Sequence, residues 1–120
     1  MKWEKIPWFD GVEEKLSSAL LDDLIFIKAE VDSGVANLWR IENYGYFVTR
    51  LEKFGEHQEL VLVAFQGKKA LELIEHLKSV CKNQGIQSMR FHTGHPEKLM
   101  SRFIKPTGFK RYETVYRLEL

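Results

Sequence analysis

The sequence predicts a mixed α+β domain, a mostly antiparallel sheet with one parallel central pair and helices against it. Three observations lead there. Residues 59–65, "ELVLVAF", are apolar on both faces of a strand from Leu60 onward, as a central strand covered from both sides requires. A helical stripe follows at once: Ala70, Leu73, Ile74, Leu77, Val80 and Cys81 recur with a period near 3.6. A second β-like run, "IQSMRFHT" (86–93), comes after that helix. A strand–helix–strand connection lays its two strands parallel by a right-handed crossover.

The remaining elements follow in chain order. Residues 11–34, "GVEEKLSSALLDDLIFIKAEVDSG", read as two helices hinged near Ser17 and Ser18. Asp10 caps the first, with Glu13 as its capping-box partner. Ser18 caps the second, whose apolar positions are Leu21, Leu24, Ile25 and Ala29, and Gly34 ends it. "ANLWRIEN" (36–43) and "YFVTRLEK" (46–53) alternate as strands, joined through Asn43 and Gly45, which tolerate positive φ. After the central strand a helix runs from about Lys68 to Asn83, with Gly85 in the C-terminal capping role. "HPEKLMSRFI" (95–104) is a short helix with Pro96 in its first turn. Beyond Gly108, "FKRYETVYRLEL" alternates Tyr112, Thr114, Tyr116, Leu118 and Leu120 against Arg111, Glu113, Arg117 and Glu119, a last strand with its tyrosines inward. The predicted order is α-α-β-β-β-α-β-α-β.

Composition narrows the function classes. Of 120 residues, 44% are hydrophobic and 29% charged, the profile of one soluble domain spanning 1–120. Lys plus Arg is 18 against 17 for Asp plus Glu, so the basic excess of a nucleic-acid binder is missing. No apolar run is long enough to span a membrane, and "MKWEKIPWFDG" has no signal core. Cys81 is the sole cysteine, which excludes a disulfide scaffold and points to a reducing, cytoplasmic setting.

The element order resembles the GNAT N-acetyltransferase superfamily, most strongly from Ala36 to Leu120. "KNQGIQSMRFHT" is similar to that family's helix-end glycine and following strand, and "RFIKPTGFKRYETVYRLEL" to its short helix, Gly-Phe pair and last strand. The short form also resembles GNAT-like proteins of bacteriophage and prophage genomes. The resemblance implies a splay between two parallel strands that receives the pantetheine of acetyl-CoA. It also implies a pyrophosphate held by backbone N–H groups at the start of the crossover helix, where amides lack internal partners and the helix dipole is positive.

The family's pattern there is Gln/Arg-x-x-Gly-x-Gly/Ala, and the matching stretch is Phe65, Gln66, Gly67, Lys68, Lys69 and Ala70. Registered on Gly85, Ala70 takes the final small position, but Lys68 stands where glycine is expected and Phe65 where Gln or Arg is. Gln66 and Gly67 are displaced by one residue, so a slipped or shortened loop remains open, as does the reading in which Gly67 merely turns the chain. The family often carries a tyrosine that protonates the departing thiolate of CoA; that position is Ile104 here. The asparagine of the same helix falls at Glu97.

Other side chains bear on chemistry. His92 projects near the C-terminal end of its strand, where α/β sites lie, and could serve as general base toward an amine. A hydrogen-bonded sheet histidine is its bland alternative. Glu59 begins the central strand; acidic residues of that strand take a proton through water in some GNAT enzymes, whereas a strand-end carboxylate is ordinarily just solvated. Tyr112 and Tyr116 could replace the missing acid, but their alternation favours core packing. His92 and His95 lack a third ligand, so no metal is expected. Cys81 lies on the buried helix stripe as core filler. Arg40, Arg50, Arg90 and Arg117 with Glu42, Glu52, Glu113 and Glu119 suit cross-strand charge pairs.

Two functions follow. One is an acyl-CoA-binding protein that transfers an acetyl group from acetyl-CoA to an amine of a small molecule or protein, with His92 and Glu59 as candidate bases and residues 65–70 as the cofactor cradle. The other is a GNAT-like binding or assembly module without catalysis, phage-encoded in the narrower resemblance, with Trp3, Trp8 and Phe9 covering a core or docking a partner. Neither calls for nucleic acid or membrane, and homo-oligomerisation is left open.

Overall fold

A short strand absent from the sequence expectation opens the chain. The computed structural model describes residues 2–20, 24–43, 45–92, 97–112 and 115–120, of which 17–20, 97–99 and 102–103 by backbone alone. In order the elements are β1 (Trp3–Ile6), α1 (Asp10–Leu20), α2 (Leu24–Ser33), β2 (Ala36–Ile41), β3 (Gly45–Phe54), β4 (His57–Gly67), α3 (Ala70–Asn83), β5 (Ser88–Phe91) and α4 (Glu97–Thr107). They form a mixed α+β fold around an open sheet of order β1-β2-β3-β4-β5. The first three pairings are antiparallel; β4 and β5 are parallel, Glu59 opposite Ser88 through Leu62 opposite Phe91, as the two apolar runs predicted.

Each face of the sheet carries its own apolar cluster. On one, Val12 and Leu16 of α1 and Ile27 of α2 pack on Ala36, Leu38, Val48 and Ala64. On the other, Leu73, Ile74 and Leu77 of α3 pack on Ile41 and Phe47, with Trp3, Trp39, Leu60 and Phe65 around them. The aromatic start of the chain therefore covers core. Trp3 lies 5.1 Å from Phe47 between ring centroids, Trp8 packs on the first cluster, and Phe9 meets Tyr46 at 5.7 Å. Buried Thr49 is satisfied by the Trp39 indole, which donates to its hydroxyl at 2.9 Å.

The α3 terminus closes as expected. Gly85 takes φ +73°, and the Ile86 amide donates back to the Cys81 carbonyl at 2.9 Å, the Schellman arrangement that needs a residue free to be left-handed. At the sheet's other end Gly45 (φ +138°) pairs with Gly67 (φ +148°). A Cβ on Gly45 would stand 2.0 Å from the Gln66 carbonyl oxygen, so only glycine fits.

Several expectations are corrected. Ser17 and Ser18 lie inside α1, which runs to Leu20, and α2 begins at Leu24, so Ser18 is not at the start of the second helix. Ile27 is the buried residue of α2, while Ile25 and Phe26 are 79% and 70% exposed. Asp10 starts α1 as predicted, but Glu13 accepts from the Trp8 indole at 3.4 Å. The crossover helix begins at Ala70 instead of Lys68. The expected last strand is not seen: among the described residues beyond Phe109 none is in a sheet, and Tyr112 and Tyr116 are 83% and 91% exposed. Alternation buries a face only where a neighbouring strand is available to cover it. Leu21, Thr114, His95 and Pro96 lie outside the described residues.

Truncating Phe47, fully buried in the second cluster, to Ala is expected to cost about 3–5 kcal/mol in chemical denaturation. Gly45→Ala, a single methyl at the strand end, is expected to cost on the order of 2 kcal/mol or more through clash and φ strain.

Candidate functional site

The site grows from a change in how β4 is paired. From Glu59 to Leu62 it has a neighbour on each side, β3 and β5. Then the β3 register shifts: Thr49 faces Leu62 and Val48 faces Ala64, so Val63 is an extra residue, a β-bulge. β5 stops pairing at this same level. β4 continues alone along β3 to Gly67, so residues 63–67, about 16 Å of strand, have one edge that no described residue pairs with. The paired length of the two parallel strands ends here.

The bared strand runs directly into a helix start. Gly67 closes the β3–β4 ladder, Lys68 follows, and Lys69 holds a left-handed conformation (φ 63°, ψ 44°) as the N-cap of α3. The chain thus turns from strand to helix over two residues. Lys69 makes no side-chain capping hydrogen bond at this terminus. The amides opening α3 at Ala70 and the following residues are donors of the kind that hold anions. Lys68 and Lys69 are exposed, with the Lys69 ammonium 3.9 Å from Glu72, an acid in the first turn. Phe65 packs into the second cluster and Gln66 is half-buried.

The structure places His92 immediately after β5, exposed, one residue beyond the Leu62–Phe91 pair and so at the mouth of the parting strands. Glu59 lies at the other end of β4, roughly 26 Å of strand from Gly67. By register His92 stands level with Val63, midway along β4 between Glu59 and Gly67.

Glu59 belongs instead to a charge network that the sequence showed only as alternation. Arg50 donates to Glu30 of α2 at 3.0 Å and to Glu52 at 3.0 Å. Arg90 donates to Glu52 at 2.8 Å and pairs with Glu59 at 3.2 Å. The Ser88 hydroxyl donates to Glu59 at 2.8 Å, and the His57 ring meets that hydroxyl at 2.9 Å. The chain of contacts ties α2, β3, β4 and β5 on one sheet face. Burial works against the charge of Glu52, but the Arg50 hydrogen bond and the Arg90 and Arg50 charges outweigh it and hold its carboxyl below the ordinary value. Burial likewise opposes the charge of Arg50, and Glu52 and Glu30 still raise its pKa. Elsewhere Arg40 pairs with Glu4 of β1, and Arg117 with Glu119 at 2.8 Å in the exposed tail.

Two clefts lie away from the parting strands. A groove of about 240 Å³ runs between the end of α3, β5 and the end of α4, lined by Cys81, Met89, Thr107 and Phe109. A shallower hollow of about 520 Å³ follows the outer face of α3 along Leu71, Glu75 and His76. Burial pushes the Cys81 thiol up, as suits a core filler. Ile104 sits in α4, its carbonyl accepting from the Thr107 hydroxyl at 3.0 Å. No described helix is long and apolar enough to cross a membrane.

By sequence, no protein-family model matches the chain and no curated protein does. By structure it is similar to acetyltransferases over its whole length. A probable acetyltransferase matches with a TM-score of 0.69 at 11% identity, covering 100% of this chain and 98% of that one. A ribosomal-protein-alanine N-acetyltransferase from Brucella melitensis matches with a TM-score of 0.67 at 10% identity, covering 99% and 98%. An aminoglycoside acetyltransferase from an uncultured soil metagenomic sample, in complex with sisomicin, matches with a TM-score of 0.60 at 11% identity, covering 99% and 94%. The fold is GNAT-like.

Two measurements follow. Glu52 has a lowered folded pKa, so its contribution to stability is complete above the ordinary carboxylate value and is lost as pH falls through that lowered pKa. Glu52→Gln is expected to lose about 1–3 kcal/mol at neutral pH, with the gap to wild type shrinking on acidification, read from urea melts across pH. Cys81 is expected to resist a thiol reagent in the native protein and to react fully in denaturant; fast native labelling would place it outside the core.

Proposed function

We propose that this protein binds acetyl-CoA or a similar acyl-CoA along the bared edge of β4 and transfers the acyl group to an amine of a small molecule or a protein. One observation carries the reading: β4 loses its β5 neighbour at the Val63 bulge and then delivers the chain to an uncapped helix start. A strand edge offers backbone donors and acceptors to the amides of a pantetheine arm. The amides opening α3 suit its pyrophosphate, with Ala70 small enough for close approach and Lys68 and Lys69 adding positive charge. Gln66 and Phe65 would border the arm from β4.

Bound there, the ligand supplies an acyl carbon activated by its thioester. His92, exposed at the mouth, is the residue assigned to take the proton of the incoming amine. Glu59 is held by Arg90 and Ser88 and is given a structural role in place of the base it was considered for. The acceptor class rests on likeness of fold to proteins described as acting on aminoglycosides and on a ribosomal-protein alanine. The buried lone thiol of Cys81 suits a reducing cytoplasm.

A second reading, a binding or assembly module without catalysis, is favoured by Ile104. It occupies the α4 position where the resembling family often places its thiolate-protonating tyrosine, and an alkyl side chain has no proton to give. The phage and prophage likeness of the short form goes with this reading.

Calorimetric titration with CoA and acetyl-CoA tests the shared premise. Saturable micromolar binding is expected; silence at millimolar ligand would reduce the junction to a turn. Thiol release in the presence of an amine then separates transferase from module. Gly67→Val is a poor probe, because Gly67 holds a positive φ and pairs with Gly45. Lys68→Glu is better: the residue is exposed, and a carboxylate near a helix start does not harm the helix. It is expected to weaken CoA binding by about tenfold or more with unchanged melting, and the difference should narrow at high salt.

A further inference from the structure

We propose that the groove between the end of α3, β5 and the end of α4 binds a small aromatic monocarboxylate. Cys81, Ile86, Met89 and Phe109 give it apolar walls. Lys78 and Lys82, one helical turn apart, are the charged residues lining it among those described, and no described acid lines it beside them. Lys82 is exposed and pairs with no described acid, while the Lys78 ammonium stands 3.0 Å from Glu75.

The other polar groups of the lining are already engaged. The Thr107 hydroxyl donates to the Ile104 carbonyl at 3.0 Å. The Gln87 side chain accepts from the Gln58 amide and donates to the Glu56 carbonyl. The Ser88 hydroxyl donates to Glu59, on the sheet face opposite to that of Met89. The backbone at the helix end is closed as well: the carbonyls of Val80, Cys81 and Lys82 accept from the amides of Gln84, Ile86 and Gly85. A sugar or polyol would bury hydroxyls here without partners, which costs free energy. An apolar body with one anionic end matches what remains, apolar surface and two ammonium groups.

Size and wall chemistry narrow the class further. At about 240 Å³ the groove falls below the roughly 300 Å³ at which drug-sized sites begin, so its occupant is a single ring on a short arm. A ring suits it better than an alkyl chain. Cys81 and Met89 set two sulfurs in the walls and Phe109 a third aromatic-seeking surface, and such contacts add to the gain from area alone. The site stands apart from the proposed acyl-CoA cradle. α3 is 14 residues long, which puts the groove roughly 20 Å from the helix start.

The test needs no acyl-CoA and so does not depend on the proposed function. The full chain is titrated with 3-phenylpropionate and with its uncharged amide, 3-phenylpropanamide, and followed by backbone-amide and methionine-methyl NMR. The carboxylate should shift Ile86 and Met89 saturably, with a dissociation constant on the order of 0.1–1 mM, as suits so small a ligand. The amide should bind about tenfold more weakly, and Lys82→Ala should weaken the carboxylate by about as much with an unchanged circular dichroism spectrum. Lys82 is exposed in the last turn of α3, so its truncation leaves the core intact. Three results would each overturn the proposal. They are no saturable shift at Ile86 or Met89 by about 10 mM, an amide that binds as tightly as the acid, or full binding by the double variant Lys78→Ala, Lys82→Ala. Were a lysine variant to lose its folded spectrum, the comparison of acid with amide on the wild type would still decide.

Discussion

The rest of the structure depends on one strand having two regimes. For four residues β4 is paired on both sides, and for the next five it is paired with β3 while no described residue pairs with its other edge. The bulge at Val63 is the hinge between them. An extra residue in one strand bends it and increases its twist, which carries it away from a neighbour that does not share the irregularity. β5 has no matching bulge and stops. Beyond the hinge, Ala64 still reaches the α1–α2 face and Phe65 the α3 face, so the bared strand is held firmly by the two clusters even without β5. The Gly45–Gly67 pair fastens its end, because two backbones without side chains approach there.

The charge network explains why the opening is confined to one end. Glu59, Glu52 and Arg90 clamp β5 to β4 and β3 at the closed end, and Arg50 extends the clamp to α2 through Glu30. Gln87 reinforces it: its amide donates to the Gln58 carbonyl at 3.0 Å, and its side-chain oxygen accepts from the Gln58 amide at 2.7 Å. Single half-exposed ion pairs contribute little to stability. Here Glu52 and Glu59 are each shared between two donors, so the network fixes register more than it adds free energy, and register decides where the pairing of β4 with β5 ends.

Much of this was legible in the letters, for identifiable reasons. The doubly apolar 59–65 run and the stripe from Ala70 to Cys81 are local patterns with strong periods, and they gave the parallel pair correctly. Gly85 was readable because a helix end needs a left-handed residue. β1 was missed because four residues with two charges show no alternation, and its strand character comes from β2, more than thirty residues away. The last strand was expected from alternation alone, but alternation states which side chains share a face and not whether a neighbour exists to cover it. Lys69 in a left-handed turn could not be read at all, since lysine carries no preference for that conformation. Charged residues at strand spacing suggested pairing, yet which arginine meets which glutamate depends on register. That is why Glu59 looked available as a base when Arg90 and Ser88 hold it.

The contrast between cradle and catalyst is the last step. The proposed anion site at the start of α3 would use backbone amides, which every residue except proline supplies, so in that proposal the poor letters at Phe65 and Lys68 weigh less than the helix geometry they accompany. Left-handed Lys69 reaches the same strand-to-helix turn that glycine would make more cheaply. Proton transfer is different, because it needs a titratable atom at a particular place, and no backbone group substitutes for the hydroxyl that Ile104 lacks. The proposed binding thus asks less of particular side chains than the proposed turnover does. The proposed acyl-CoA binding and the proposed acyl transfer are therefore separable, the first drawing on β4 and α3 and the second on His92.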